Sequence, residues 1–192
     1  RRAQAQACLS IYDLITSGIS TNRTPMRHST QKDRLKIICL GGSYTGMYLA
    51  SHFTEEGSVT FISRDPDQLR SNGFAAFDSP EQASKNHNRI DLIVDTVPAV
   101  KEAGQVELPY KSVIQSMMVG PVRPVYLHLS STSVYPARFN AANEMALTTL
   151  NENSIPKPCS DRAKDRLMVE RLVSSTYPES RILRCGGIYG PG

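Results

Sequence analysis

LKIICLGGSYTGMYLASHFTEEG, Leu35 to Gly57, is the stretch on which the fold turns. LKIICL is an apolar run broken only by Lys36, and it ends in glycine, as a strand buried on both faces does. The next residues place Met47, Leu49, Ala50 and Phe53 at helical spacing and stop at Gly57. Between strand and helix lies GGSYTG, with Gly41, Gly42, Ser43, Tyr44, Thr45 and Gly46. Its spacing matches G-x-G-x-x-G with Ser43 at the second glycine. That pattern makes a tight turn whose backbone approaches a pyrophosphate, while the helix N-terminus offers N–H groups and positive dipole. Dinucleotide binding is the reading, against a merely tight structural turn.

Outward from this unit, strand and helix patterns alternate. SVTFIS, FAAF, IDLIVDTV, PVYLHLSS and RILRCGG read as strands, and KSVIQSMMVG and DRAKDRLMVERLVSS as helices. AANEMALTTLNEN reads as a helix or a helical insertion. In DRAKDRLMVERLVSS the residues Leu167, Met168, Arg171 and Leu172 recur at intervals of three and four. The fold class expected is α/β, a doubly wound parallel sheet of Rossmann type. No Walker A sequence occurs, which argues against P-loop hydrolysis.

The end of the second strand selects the adenine ribose. Arg64 falls 23 residues after Gly41, where an acid would bind a 2′-hydroxyl and an arginine suits a 2′-phosphate. NADP is therefore favoured over NAD, with Asp65 next door arguing the other way. Thr96 and Pro98, flanking Val97 after the fourth strand, are expected to line the cofactor cleft, because ligands sit at the carboxyl ends of parallel strands.

The chain has 192 residues, with 22 Lys+Arg against 18 Asp+Glu, a net charge of +4. Forty per cent hydrophobic and 21% charged residues exclude a wholly disordered or collagen-like chain. No apolar stretch is long enough for a membrane helix, so no membrane partner is expected. The basic excess lies in residues 1–34, which hold Arg1, Arg2, Arg23, Arg27, Lys32 and Arg34 against Asp13 and Asp33. Residues 35–192 are neutral, which removes the reason to expect nucleic acid. The tail resembles an organelle transit peptide, with a flexible basic extension as the alternative. Cys8, Cys39, Cys159 and Cys185 show no ligand spacing, so no metal is expected. They suit a reducing compartment: cytoplasm, or plastid or mitochondrion if the tail is a leader. Cys39 and Cys185 read as plain core residues, and His128 as a packed strand residue.

Two later stretches carry a family resemblance. LSSTSVYP, Leu129 to Pro136, resembles the serine-bearing strand end of extended short-chain dehydrogenase/reductases, the NAD-dependent epimerase/dehydratase-like group. ILRCGGIYGPG, Ile182 to Gly192, resembles that group's sixth strand and following turn. With GGSYTG and the helix ending in LMVE, the resemblance covers residues 35–192. It implies that Ser131 polarises a substrate oxygen. It also implies a Tyr-x-x-x-Lys pair, but aligning DRAKDRLMVE puts Arg162 and Arg166 in those places. Arginine keeps its proton at any useful pH and cannot serve as the acid/base. Arg162 and Arg166 are read either as a solvated helix face or as holding an anionic substrate or cofactor phosphate. The resemblance further implies a C-terminal substrate lobe beyond Gly192, so the domain reads as cut short. The functional expectation is an NAD(P)-binding, epimerase/dehydratase-like protein. It is an NADP-linked oxidoreductase or epimerase with an atypical site acting on a small molecule such as a sugar nucleotide, or a non-catalytic NADP(H)-binding sensor or scaffold.

Overall fold

The computed structural model describes residues 34–54, 57–85, 89–98, 100–102, 105–119, 123–136, 150–151 and 153–186. The basic tail up to residue 33, most of AANEMALTTLNEN and the last six residues of the final turn motif lie outside them.

Six parallel strands form the sheet: β1 (Leu35–Leu40), β2 (Gly57–Ile62), β3 (Ala75–Phe77), β4 (Leu92–Asp95), β7 (Val125–Ser131) and β8 (Arg181–Cys185). Their order is β3-β2-β1-β4-β7-β8, the dinucleotide-fold arrangement with its switch point between β1 and β4. The expected doubly wound sheet is present. Between β4 and β7 lie an antiparallel pair, β5 (Val100–Glu102) and β6 (Gln105–Glu107), and a short helix, α4 (Lys111–Met117).

The apolar run of β1 is explained by two cores, one on each face. Ile37 and Cys39 join Leu49, Ala50 and Phe53 of α1 (Tyr44–Phe53), whereas Ile38 and Leu40 pack with Val169 and Val173 of α5 (Asp161–Thr176). Alternate residues of one strand thus serve opposite layers, so both sets must be apolar. The central β4 does the same with Leu92 and Ile93, each fully buried. Truncating either to alanine costs about 2–5 kcal/mol, since a cavity remains beside a packed strand.

α5 starts where Ser160 Oγ accepts a hydrogen bond from the Ala163 N–H at 3.2 Å, an N-cap that satisfies one orphan donor. The helix is where the sequence puts it. Ala163, Val169, Glu170 and Val173 are buried, while Met168 is 52% exposed. Leu172 packs partly buried against the same core, and a glutamate, Glu170, occupies a core-facing position. Two six-residue helices, α2 (Pro66–Ser71) and α3 (Pro80–Lys85), and the β5–β6 pair are too short to show periodicity in sequence. Only the prolines opening both helices signal them.

Candidate functional site

At the carboxyl edge of β1 the chain turns sharply. Gly41 has φ +89°, a left-handed conformation, and a Cβ there would sit 2.8 Å from Thr96 Oγ1. Its N–H donates to Ile62 O at 2.9 Å, pinning the turn across β2. Gly46 sits in the first turn of α1, where a Cβ would lie 3.1 Å from Gly41 O and 3.2 Å from Cys39 Sγ. Glycine at both positions therefore lets helix and strand approach closely.

Ser43, at the departure from the glycine pattern, is the N-cap of α1. Its Oγ accepts from the Gly46 N–H at 3.2 Å and donates to Thr96 Oγ1 at 3.0 Å, and Thr96 donates on to Leu40 O at 2.9 Å. The hydroxyl that the sequence offers to a phosphate is thus engaged inside the protein, tying the turn to the end of β4. The N–H groups of Tyr44 and Thr45 have no intrahelical acceptor by helix geometry. Tyr44 itself is 47% exposed.

Next to this turn is a cleft of about 520 Å³. Ser43, Thr45, Thr96 and Pro98 line one side, and Ser131, Arg162 and Arg166 line the other. These sequence-singled residues, drawn from four elements, therefore share one space, which Arg166 lines half-buried and Arg162 lines while exposed. Ser131 Oγ accepts from the Ser133 N–H at 3.2 Å, capping a 3-10 turn over Thr132–Val134. Arg64 is exposed beyond β2 and is not among the cleft-lining residues. Cys185 departs from its plain-core reading: it is half-buried and lines the cleft, and burial raises its thiol pKa.

Two buried polar networks lie beside the cleft, and neither is legible in sequence. In the first, Asp95 at the end of β4 is 3% exposed and accepts three hydrogen bonds. They come from Tyr126 Oη at 2.8 Å, His128 Nδ1 at 2.8 Å and the Val97 N–H at 3.0 Å. Burial, the Asp95 charge and that hydrogen bond push the Tyr126 phenol far above its ordinary range, so it stays a neutral donor. His128 is buried, as the sequence reading has it, but it also lines the cleft and is paired with a carboxylate.

In the second network Glu170 of α5, 2% exposed, accepts Ser130 Oγ at 2.6 Å and the fork of Arg184 on β8. Arg184 Nη1 in turn donates to Tyr135 Oη at 2.8 Å, with the guanidinium 5.0 Å from that ring's centre. Tyr135, Ser130, Glu170 and Arg184 thus join the strand-end turn, β7, α5 and β8. Among the described residues no group of three His, Cys, Asp or Glu side chains is placed to hold a metal ion, and no helix is long and apolar enough to cross a membrane.

No protein-family model matches the sequence, and no curated protein matches it. Solved structures do. A conserved protein of unknown function from Silicibacter pomeroyi superposes with a TM-score of 0.61 at 19% identity, over 82% of this chain and 55% of its own. The dTDP-glucose 4,6-dehydratase of Bacillus anthracis, solved with NAD, gives 0.56 at 13% identity, over 81% of this chain and 56% of its own. The UDP-glucuronic acid 4-epimerase of Bacillus cereus, also with NAD, gives 0.55 at 19% identity, over 81% and 58%. At such identities the likeness establishes the fold. The neighbours include epimerase and dehydratase enzymes, the group that the strand-end motifs resemble. This chain spans a little over half the length of each of these structures.

Proposed function

We propose that the chain binds a nicotinamide dinucleotide, NADP in preference to NAD, and serves an oxidoreductase or epimerase reaction on a small anionic molecule such as a sugar nucleotide. The observation that carries this reading is the convergence of Ser43 and Thr45, Ser131, and the Arg162–Arg166 pair on one cleft at the carboxyl ends of the strands. Its volume is within the range of small-molecule sites, and its place in the sheet is where such folds bind ligands.

The turn suits a pyrophosphate because Gly41 takes a left-handed conformation at φ +89° and Gly46 lets α1 start close against the strand end. The orphan N–H groups of Tyr44 and Thr45 would receive the phosphate oxygens. Arg64, exposed beyond β2, has its counterpart in a 2′-phosphate. Arg162 and Arg166 are assigned to an acidic group of the substrate or a cofactor phosphate, and Ser131 to a substrate oxygen. When bound, the dinucleotide supplies hydride transfer. The NAD complexes of the dehydratase and the epimerase support a dinucleotide over other Rossmann ligands.

The test is fluorescence titration of the full chain with NADPH and with NADH, alongside Gly46→Asp and Arg64→Asp. NADPH binding weakened at least tenfold by each substitution, with NADH spared by Arg64→Asp, is the expected result. Failure of both nucleotides to bind at millimolar concentration overturns the reading.

A further inference from the structure

We infer that His128, held by Asp95, is the proton acceptor and donor of the cleft, in the role that Arg162 cannot fill. The inference rests on the reading of the cleft as an oxidoreductase or epimerase site, and adds the group that such chemistry requires.

The argument begins with the sheet. Asp95 and His128 are direct register partners on β4 and β7, so their side chains leave the same face. Asp95 Oδ2 lies 2.8 Å from His128 Nδ1. A carboxylate only accepts, so Nδ1 carries the hydrogen, and in the neutral ring the lone pair is on Nε2. Nε2 makes no hydrogen bond to any described residue, and His128, though buried, is one of the residues that line the cleft. An imidazole oriented by a buried carboxylate, with its other nitrogen unpaired among the described residues and its residue on the wall of a ligand space, is the arrangement of a general base.

The other cleft groups are worse suited. Arg162 and Arg166 keep their protons. The Cys185 thiol is driven toward its neutral form by burial. Ser131 has no base of its own except one supplied from nearby. The titratable groups around the pair are Tyr126, which donates to Asp95, Tyr177, whose ring packs on that of Tyr126, and Arg162, Asp165 and Arg166 of α5, which line the same cleft. The two tyrosines remain neutral, Tyr177 with its pKa pushed up to about 12 by burial and by Asp95. The cationic pair stands against the single carboxylate that holds the ring.

In the oxidation of an alcohol, its O–H proton passes to Nε2, the C–H bond breaks with its electron pair going as hydride to the nicotinamide nucleotide, and a C=O bond forms. The reverse direction returns the proton from Nε2–H to the oxygen.

Diethyl pyrocarbonate, which acylates an accessible unprotonated imidazole nitrogen, reads this directly on the full wild-type chain at pH 7. Peptide mass mapping is expected to find His128 modified, and saturating NADPH to slow that modification at least tenfold while exposed His52 reacts as before. His128→Gln, folded by circular dichroism, loses the adduct at that peptide alone. An unmodified His128 beside a modified His52 overturns the inference, as does modification that bound NADPH leaves unchanged. Should NADPH fail to bind, the cofactor reading falls separately. Long-range ¹H–¹⁵N spectra of the histidines then decide: a bare His128 Nε2 with the hydrogen on Nδ1 at pH 8 sustains the inference, and a hydrogen on Nε2 at pH 8 overturns it.

Discussion

Glu170 of α5 and Arg184 of β8 meet through a forked contact in which Nη2 donates to Oε2 at 2.7 Å and Nε lies 3.1 Å from both oxygens. The carboxylate side chain is 3% exposed and the guanidinium 25%. This pair crosses from helix to sheet beside the cleft and also fixes Ser130 and Tyr135.

Removing one partner leaves the other charge stranded. Glu170→Leu is expected to cost about 2–4 kcal/mol, below the ~3–5 kcal/mol of a fully buried pair because Arg184 retains some water. The double variant Glu170→Leu, Arg184→Leu recovers most of that loss. Urea unfolding of the two variants checks it, and equal destabilisation of both would contradict the account.

The two stacked tyrosines give opposite outcomes. Tyr126 and Tyr177 have ring centres 4.5 Å apart, but Tyr126 donates to Asp95 whereas the buried Tyr177 hydroxyl has no partner among the described residues. Tyr126→Phe therefore destabilises by about 1–3 kcal/mol, and Tyr177→Phe is neutral or stabilising by up to about 1 kcal/mol. Thermal unfolding of both variants measures the contrast.

Gly41→Ala forces a Cβ onto a left-handed backbone and toward Thr96 Oγ1. The conformation alone costs about 1–2 kcal/mol. The expected result is a lower unfolding midpoint together with weaker NADPH binding, since the turn must shift to relieve the contact. A variant with wild-type values in both measurements would show that the turn tolerates the methyl group.

Stability is expected to fall in alkali. Burial, and then the Asp95 charge, push the Cys39 thiol from 9.0 up to about 12. Below pH 9 the thiol is protonated in both states and contributes nothing to the pH dependence. Between 9 and 12 the unfolded chain gives up the proton and the folded one keeps it, so unfolding becomes easier as pH rises. The slope is about 1.4 kcal/mol per pH unit for such a group. Tyr177 adds the same sign above pH 10. Denaturant midpoints from pH 8 to 10.5 measure the decline, which Cys39→Ala makes shallower.

The first βαβ unit was legible because its signals are local: an apolar run, a glycine turn and a helical stripe lie within two dozen residues. The cleft walls at Ser43, Thr96, Ser131, Arg162 and Arg166 were legible too, since strand ends and one helix supply them. The polar networks were not. Asp95 and His128 are 33 residues apart and Glu170 and Arg184 are 14 apart, and only strand alignment and helix packing join them. Nothing near His128 in the sequence distinguishes a ring packed against carbon from one paired with a carboxylate. The inward place of Glu170 on α5 is of the same kind: Arg184 on β8 neutralises it.

The pairing of Asp95 with His128 through the β4–β7 ladder gives the backbone hydrogen bonds a role as an alignment jig. A slip of one residue in β7 would send the imidazole to the opposite face, far from its carboxylate and from the cleft. The connection between those strands adds its own restraint: the Val97 N–H donates to Asp95, and Leu108 and Ile114 are buried in the core on the α5 face.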